Sequence, residues 1–256
     1  MILAIDMGNT NIVVGGIDRT QTYFLERITT ENRKTDLEYA VNIKSILEIH
    51  NVPLSNITGA ILSSVVPPLN EIIKSAIHKI TGLDCLLVGA GMKTGLNILM
   101  DNPKNVGSDM IVDSVAAMEE YPLPLAIIDM GTATTISVVD RKGNYIGGII
   151  HPGLKVSLDT LSMKTAQLPQ VNLEIPERII GKNTIECMRS GILFGHAAMM
   201  DGVILRMERE LGEPLNVVAT GGLAPFVTPL CNHPITVDDD LLLKGLLKLY
   251  LKNTEG

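Results

Sequence analysis

Ile2-Leu3-Ala4-Ile5-Asp6-Met7-Gly8-Asn9-Thr10 near the start of the chain is matched by Leu125-Ala126-Ile127-Ile128-Asp129-Met130-Gly131-Thr132-Ala133-Thr134 near its middle. Each stretch is an apolar, strand-like run that stops at Asp-Met-Gly, and each is followed by a second such run: Ile12-Val13-Val14 and Ile136-Ser137-Val138-Val139. Both copies then reach an Asp-Arg pair where a turn belongs, Asp18-Arg19 and Asp140-Arg141. Each half is therefore expected to open with a hairpin whose tight turn carries Asp, Gly and Thr. The copies lie about half a chain apart, which predicts two homologous lobes, residues 1–118 and 119–256, divided near the helix-breaking Tyr121-Pro122-Leu123-Pro124.

Helical and strand-like patterns alternate after each hairpin. Helices are predicted over 36–50, from Pro67 to Ile80, over 108–120, 191–211 and 241–251, with strands at 60–65, 85–88 and 216–219. Alternation behind a hairpin predicts α/β lobes with mixed sheets. The terminal helix, rich in leucine after the acidic turn Asp238-Asp239-Asp240, is expected to cover the sheet of the second lobe.

Composition narrows the function. Of 256 residues 46% are hydrophobic, with no Trp, 3 Phe, 5 Tyr and 12 Met, so the core must be aliphatic. Scarce aromatics and a net charge of −7 argue against nucleic-acid binding, which needs stacking platforms and a basic stripe. No run approaches the about 18 apolar residues of a membrane helix, and Asp6 ends the first apolar run too early for a signal peptide. The acidic balance fits a cytoplasmic enzyme acting on a small molecule. Cys85, Cys187 and Cys231 lack metal-type spacing and read as buried thiols.

An Asp-x-Gly turn at a strand end can do two things. Gly lets backbone N–H groups and a Thr hydroxyl approach a phosphate, and the Asp can hold a hydrated metal ion that neutralises it. Asp6, Gly8, Asn9, Thr10 and Asn11 supply one such turn, and Asp129, Gly131, Thr132, Ala133 and Thr134 the other. Taken singly, either is equally good hairpin chemistry; two copies with equivalent flanks favour phosphate. Val217-Val218-Ala219-Thr220-Gly221-Gly222 adds a strand running into a small-residue turn, with flat room at Gly221 and Gly222 for a nucleotide base or simply for a chain leading into a helix. There is no Walker A motif, and Gly89-Ala90-Gly91-Met92-Lys93-Thr94-Gly95 is expected to be a loop. Asp109, where Asn105-Val106-Gly107-Ser108 enters a helix, could project its carboxylate as a general base, or Ser108 or Asp109 could cap the helix. His50, His78, His196 and His233 show no pairing at ligand spacing; His151, beside Pro152-Gly153, reads as a loop residue or else as part of a dimer interface.

These elements resemble the actin-like ATPase superfamily, whose members hold ATP in a cleft between two duplicated ribonuclease-H-like lobes. The resemblance sharpens on Asp6-Met7-Gly8-Asn9-Thr10-Asn11, Ser63 to Pro68, Lys93 to Leu96, Asp101-Asn102-Pro103 and Asp129 to Thr135. It continues through Gly147-Gly148, Pro152-Gly153, Leu168-Pro169, Gly181 to Thr184 and Ala219 to Ala224. In that order they are similar to type III pantothenate kinases over nearly the whole chain. The resemblance implies ATP-dependent phosphorylation of pantothenate, the first step towards coenzyme A, with Asp109 as base. It also implies a homodimer formed through the 147–153 and 181–195 stretches, a potassium or ammonium ion at Asp129, ATP at Asp6 to Val13 and Thr132, and the acceptor at Thr184. Magnesium, if bound, is assigned to Asp6.

The acceptor stretch departs from the family pattern. Met110 stands where the family has an Arg for the acceptor's carboxylate, Met100 where it has Tyr, and Asp113 where it has Asn. With Gly107 and Ser108 these complete the acceptor candidates. Met cannot replace the planar donor fork of Arg, although Lys155 or Lys164 could supply a cation. A divergent paralogue for another small alcohol, or a nucleotide-binding protein without turnover, is the alternative that this departure raises.

Overall fold

The computed structural model describes residues 1–255, which form two compact units. One gathers residues 1–96, 101–119 and the chain from Asp240 onward; the other gathers Asn97–Met100 and Glu120–Asp239.

In the first unit β1 (Ile2–Met7), β2 (Asn11–Ile17) and β3 (Thr22–Thr29) form an antiparallel meander, and β4 (Gly59–Ser64) and β5 (Cys85–Leu87) add in parallel beside β1. The order is β3-β2-β1-β4-β5. Alternation along β1 sends Leu3, Ile5 and Met7 to one face, where they meet Tyr39, Ile43 and Leu47 of α1 (Asp36–Ile49) and Ile73 and Ile77 of α2 (Asn70–Thr81). Thr35 and Glu38 form a reciprocal capping box that starts α1. α3 (Ser108–Glu120) completes the connection to the second unit.

The opposite face carries a correction. The C-terminal helix (Leu241–Thr254) packs on β1, β2 and β4 of the first unit, not on the second sheet as its position in the chain suggested. Small residues on the first sheet explain this. A Cβ at Gly15 would strike the Leu243 side chain, and one at Gly59 the Tyr250 ring, so both glycines leave a trough that the helix fills. Gly245 lies on the Val112 backbone of α3, and Lys248 and Lys252 reach Glu119 at 2.9 and 3.1 Å.

The second unit repeats the topology. β6 (Asn97–Ile98) is an added edge; β7 (Leu125–Met130), β8 (Ala133–Val139), β9 (Asn144–Pro152), β10 (Asn216–Thr220) and β11 (Thr236–Val237) take the order β11-β10-β7-β8-β9-β6. Without β6 this is the order of the first sheet, with β7 antiparallel to β8 and parallel to β10. Even the register irregularities correspond, at Gly16/Ile17 in β2 and Val138/Val139 in β8. α4 (Leu154–Lys164), α5 (Thr184–Leu211) and the short α6 (Ala224–Val227) pack onto this sheet through Leu158, Met188, Leu193, Met200 and Val227.

α5 starts a full two turns before the expected Gly191, because Asn183 caps it by accepting from the Glu186 N–H at 2.9 Å. His151 lies in β9, not in a loop. Cys85 is buried as expected, but Cys187 is exposed on the first turn of α5 and Cys231 half-buried; all three thiols are free.

Candidate active site

In the first unit β1 ends in the expected hairpin. The Gly8 N–H donates to the Asn11 carbonyl at 3.0 Å, and Asn9, Thr10 and Asn11 are exposed. Thr30, at the end of β3, clamps this turn twice: its N–H donates to the Thr10 carbonyl at 2.9 Å and its hydroxyl to the Gly8 carbonyl at 2.7 Å. Sequence reading missed Thr30 because β3, interrupted by Glu26 and Arg27, lacks a clean apolar pattern. Met7 and Ile12 pair across the hairpin and are buried in the core, so neither side chain is free to meet a ligand.

Beside the turn, Asp6 pairs with Ser63 in the adjacent strand, and the Ser63 hydroxyl donates to the Ser108 hydroxyl at 3.1 Å. Ser108 also accepts from the Ser64 N–H at 3.2 Å and donates to the Ser64 carbonyl at 3.1 Å. Its hydroxyl is thus spent on β4 instead of capping α3, and it draws the first turn of α3 against the strand end that carries Asp6. Asp109 follows directly; its Oδ1 accepts from the Met110 N–H at 2.9 Å and sits over Gly107, where a Cβ would strike it. Asp6 feels the result. Desolvation raises its pKa from 3.8 to about 7; the Ser63 hydroxyl pulls the other way, and the Asp109 carboxylate adds the smallest of the three effects, upward. Met110 is half-buried and Asp113 buried on the same helix.

In the second unit β7 and β8 are joined by a turn one residue shorter: Met130 pairs with Thr134, whereas Met7 pairs with Ile12. The Gly131 N–H donates to the Ala133 carbonyl at 3.0 Å and Thr132 is exposed. β10 runs beside β7 with Thr220 opposite Asp129, which brings Gly221 against the Asp129 carboxylate. Asp129, Gly131, Thr132, Gly221 and Gly222 therefore meet at one end of this sheet. Gly221 also leads through Leu223 into α6, which is the helix-entry reading of that turn. Met100 is exposed, with its sulfur close to Gly147 of β9, and Thr184 is the exposed first residue of α5. Lys155 and Lys164 are exposed on α4. Among the described residues no group of three or more His, Cys, Asp or Glu side chains could hold a metal ion, and no helix is long and apolar enough to cross a membrane.

A family model for type III pantothenate kinase matches residues 2–206. The chain is 44% identical to the type III pantothenate kinase of Exiguobacterium sp. over 253 residues, covering 99% of each chain. It is 42% identical to that of Moorella thermoacetica over 99% of its own length and 100% of the relative's. Component A of (R)-2-hydroxyglutaryl-CoA dehydratase from Acidaminococcus fermentans superposes with a TM-score of 0.56 at 14% identity, covering 97% of this chain and 96% of that one, a likeness of fold alone.

Proposed function

The chain belongs to the type III pantothenate kinase family, and we propose that it transfers the γ-phosphoryl group of ATP to the primary hydroxyl of pantothenate, opening coenzyme A synthesis in the cytoplasm. The observation that carries the assignment of the base is the Ser108 anchor, which sets Asp109 beside Asp6 at the end of β1.

Phosphoryl transfer asks for positioning, charge neutralisation and one proton acceptor. Asp109 takes the proton of the acceptor hydroxyl as its oxygen bonds to phosphorus. The exposed Gly8–Asn11 turn and Gly131–Thr132 offer backbone N–H groups and hydroxyls to phosphate oxygens, and Gly221 and Gly222 leave flat space for the base. Gly107–Met110, Met100 and Thr184 are assigned to the acceptor.

The ions belong to the same reading. Asp6, desolvated and near enough to Asp109 to feel its charge, suits magnesium, which would neutralise phosphate charge. Asp129 suits potassium or ammonium, because the missing side chain at Gly221 leaves room at its Oδ1. A homodimer is supported by the exposure of Ile150 (74%), Met163 (70%) and Ile180 (77%) in the second unit, near the 147–153 and 181–195 stretches. Gly191 and Gly195 have nothing within 4 Å of where a Cβ would stand, which admits close helix approach.

A coupled assay with ATP, pantothenate, magnesium and potassium tests the reading. Turnover that falls by about 100-fold or more in Asp109→Asn is expected for loss of a general base. ATP binding without turnover would sink the kinase assignment. Turnover retained in Asp109→Asn would sink the choice of base.

A further inference from the structure

His196 is buried in α5, with 4% of its surface exposed, and both its ring nitrogens face carbonyl oxygens. Nδ1 lies 2.8 Å from Ile192 O, one turn back on its own helix; Nε2 lies 3.1 Å from the oxygen of Pro152, the last residue of β9. A buried histidine that merely satisfied itself on its own helix would account for the first contact. It leaves the second unexplained.

The second contact leads to the phosphate turn. Gly153, the next residue, donates its N–H to the Thr132 carbonyl at 3.0 Å. Its bare Cα fits against the Gly131 and Thr132 carbonyls, and a Cβ there would strike both. The carbonyl held by His196 and the N–H that backs the Gly131–Thr132 turn therefore belong to one and the same peptide unit. His151 supports the same point: its Nδ1 contacts Pro152 O at 2.8 Å, and its ring meets the His196 ring edge-on, with centroids 5.2 Å apart.

We propose that His196 is a positioning residue for ATP: by donating from Nε2 to Pro152 it fixes the β9–α4 corner, and through Gly153 it holds the Gly131–Thr132 backbone in the geometry that receives phosphate. The inference rests on the reading that this turn takes the phosphates of ATP. The physical basis is preorganisation, since N–H donors already in place spare the nucleotide the ordering of a mobile turn. A neutral imidazole donates through one nitrogen only, so with the proton on Nε2 the contact to Pro152 is the hydrogen bond and the approach of Nδ1 to Ile192 O is not.

Two substitutions separate positioning from bulk structure. The amide nitrogen of Gln reaches as far as Nε2, whereas that of Asn reaches only as far as Nδ1. Loss of one hydrogen bond predicts a rise of about fivefold in KM for ATP in His196→Asn, with KM for pantothenate within about twofold of wild type. His196→Gln should restore the ATP value. Equal ATP values for the two variants would overturn the proposal. Should either variant not fold, His151→Ala probes the same carbonyl from β9: a rise of about twofold in KM for ATP is expected for a weaker contact, and no change counts against the proposal. Thr132→Glu, at an exposed position, checks the underlying reading by placing a carboxylate against the phosphates. If KM for ATP ignores Thr132→Glu, the turn is not the phosphate site. If it responds to Thr132→Glu and not to His196→Asn, only the role of His196 falls.

Discussion

Gly221 holds its φ at 93°, and a Cβ on it would fall 2.8 Å from Oδ1 of Asp129 and equally close to the Met130 backbone nitrogen and oxygen. The residue is glycine for two separate reasons, a left-handed backbone and a neighbour with no room to yield. Gly221→Ala should lose about 1–3 kcal/mol of stability in urea denaturation. It should also raise KM for ATP by displacing Asp129. Wild-type values for both would remove Gly221 from the site.

The raised pKa of Asp6 makes a prediction with a definite sign. A carboxyl whose folded-state pKa lies above its unfolded value stabilises the fold below the unfolded value, and that contribution is lost as pH rises. For Asp6 the window runs from about 4 to about 7, and its size is a few kcal/mol at most. The metal-free protein should therefore lose this contribution between pH 4 and 7, and Asp6→Asn should flatten that part of the profile. Magnesium should reduce the loss at pH 8. Denaturation midpoints across pH, with and without magnesium, measure all three, and identical profiles for wild type and Asp6→Asn would refute the assignment.

Met110 sits one residue beyond Asp109, the proposed base, on a half-buried helix start. Met110→Arg places a planar guanidinium there, and a charge-assisted contact to the carboxylate of pantothenate should lower its KM by about tenfold, with KM for ATP unmoved. If activity falls instead, the position is not a carboxylate anchor.

The C-terminal helix rests in the trough above Gly15 and Gly59. Gly15→Val would press two methyl groups into Leu243 and should cost about 1–3 kcal/mol through overpacking. The same change at the exposed Gly222 should cost less. Equal losses would show that the helix is not seated as described.

The repeated Asp-Met-Gly runs determined much of this protein by themselves. Apolar alternation ending at Asp and Gly is a local pattern, so both hairpins and the duplication that yields two mixed sheets were readable without coordinates. The same held for the existence of α1, read over 36–50 from its apolar spacing and found at Asp36–Ile49. Non-local matters were not readable. Nothing in Leu241–Thr254 says which sheet it covers, because leucines fit any apolar face; the choice was made by missing side chains at Gly15 and Gly59, which lie 228 and 191 positions before Leu243 and Tyr250. Thr30 clamps a turn from an irregular strand, Ser108 spends its hydroxyl on β4 instead of its own helix, and His196 reaches Pro152 from 44 residues away. Hydrogen bonds of this kind carry no period and no spacing rule, so only the folded chain could assign their partners.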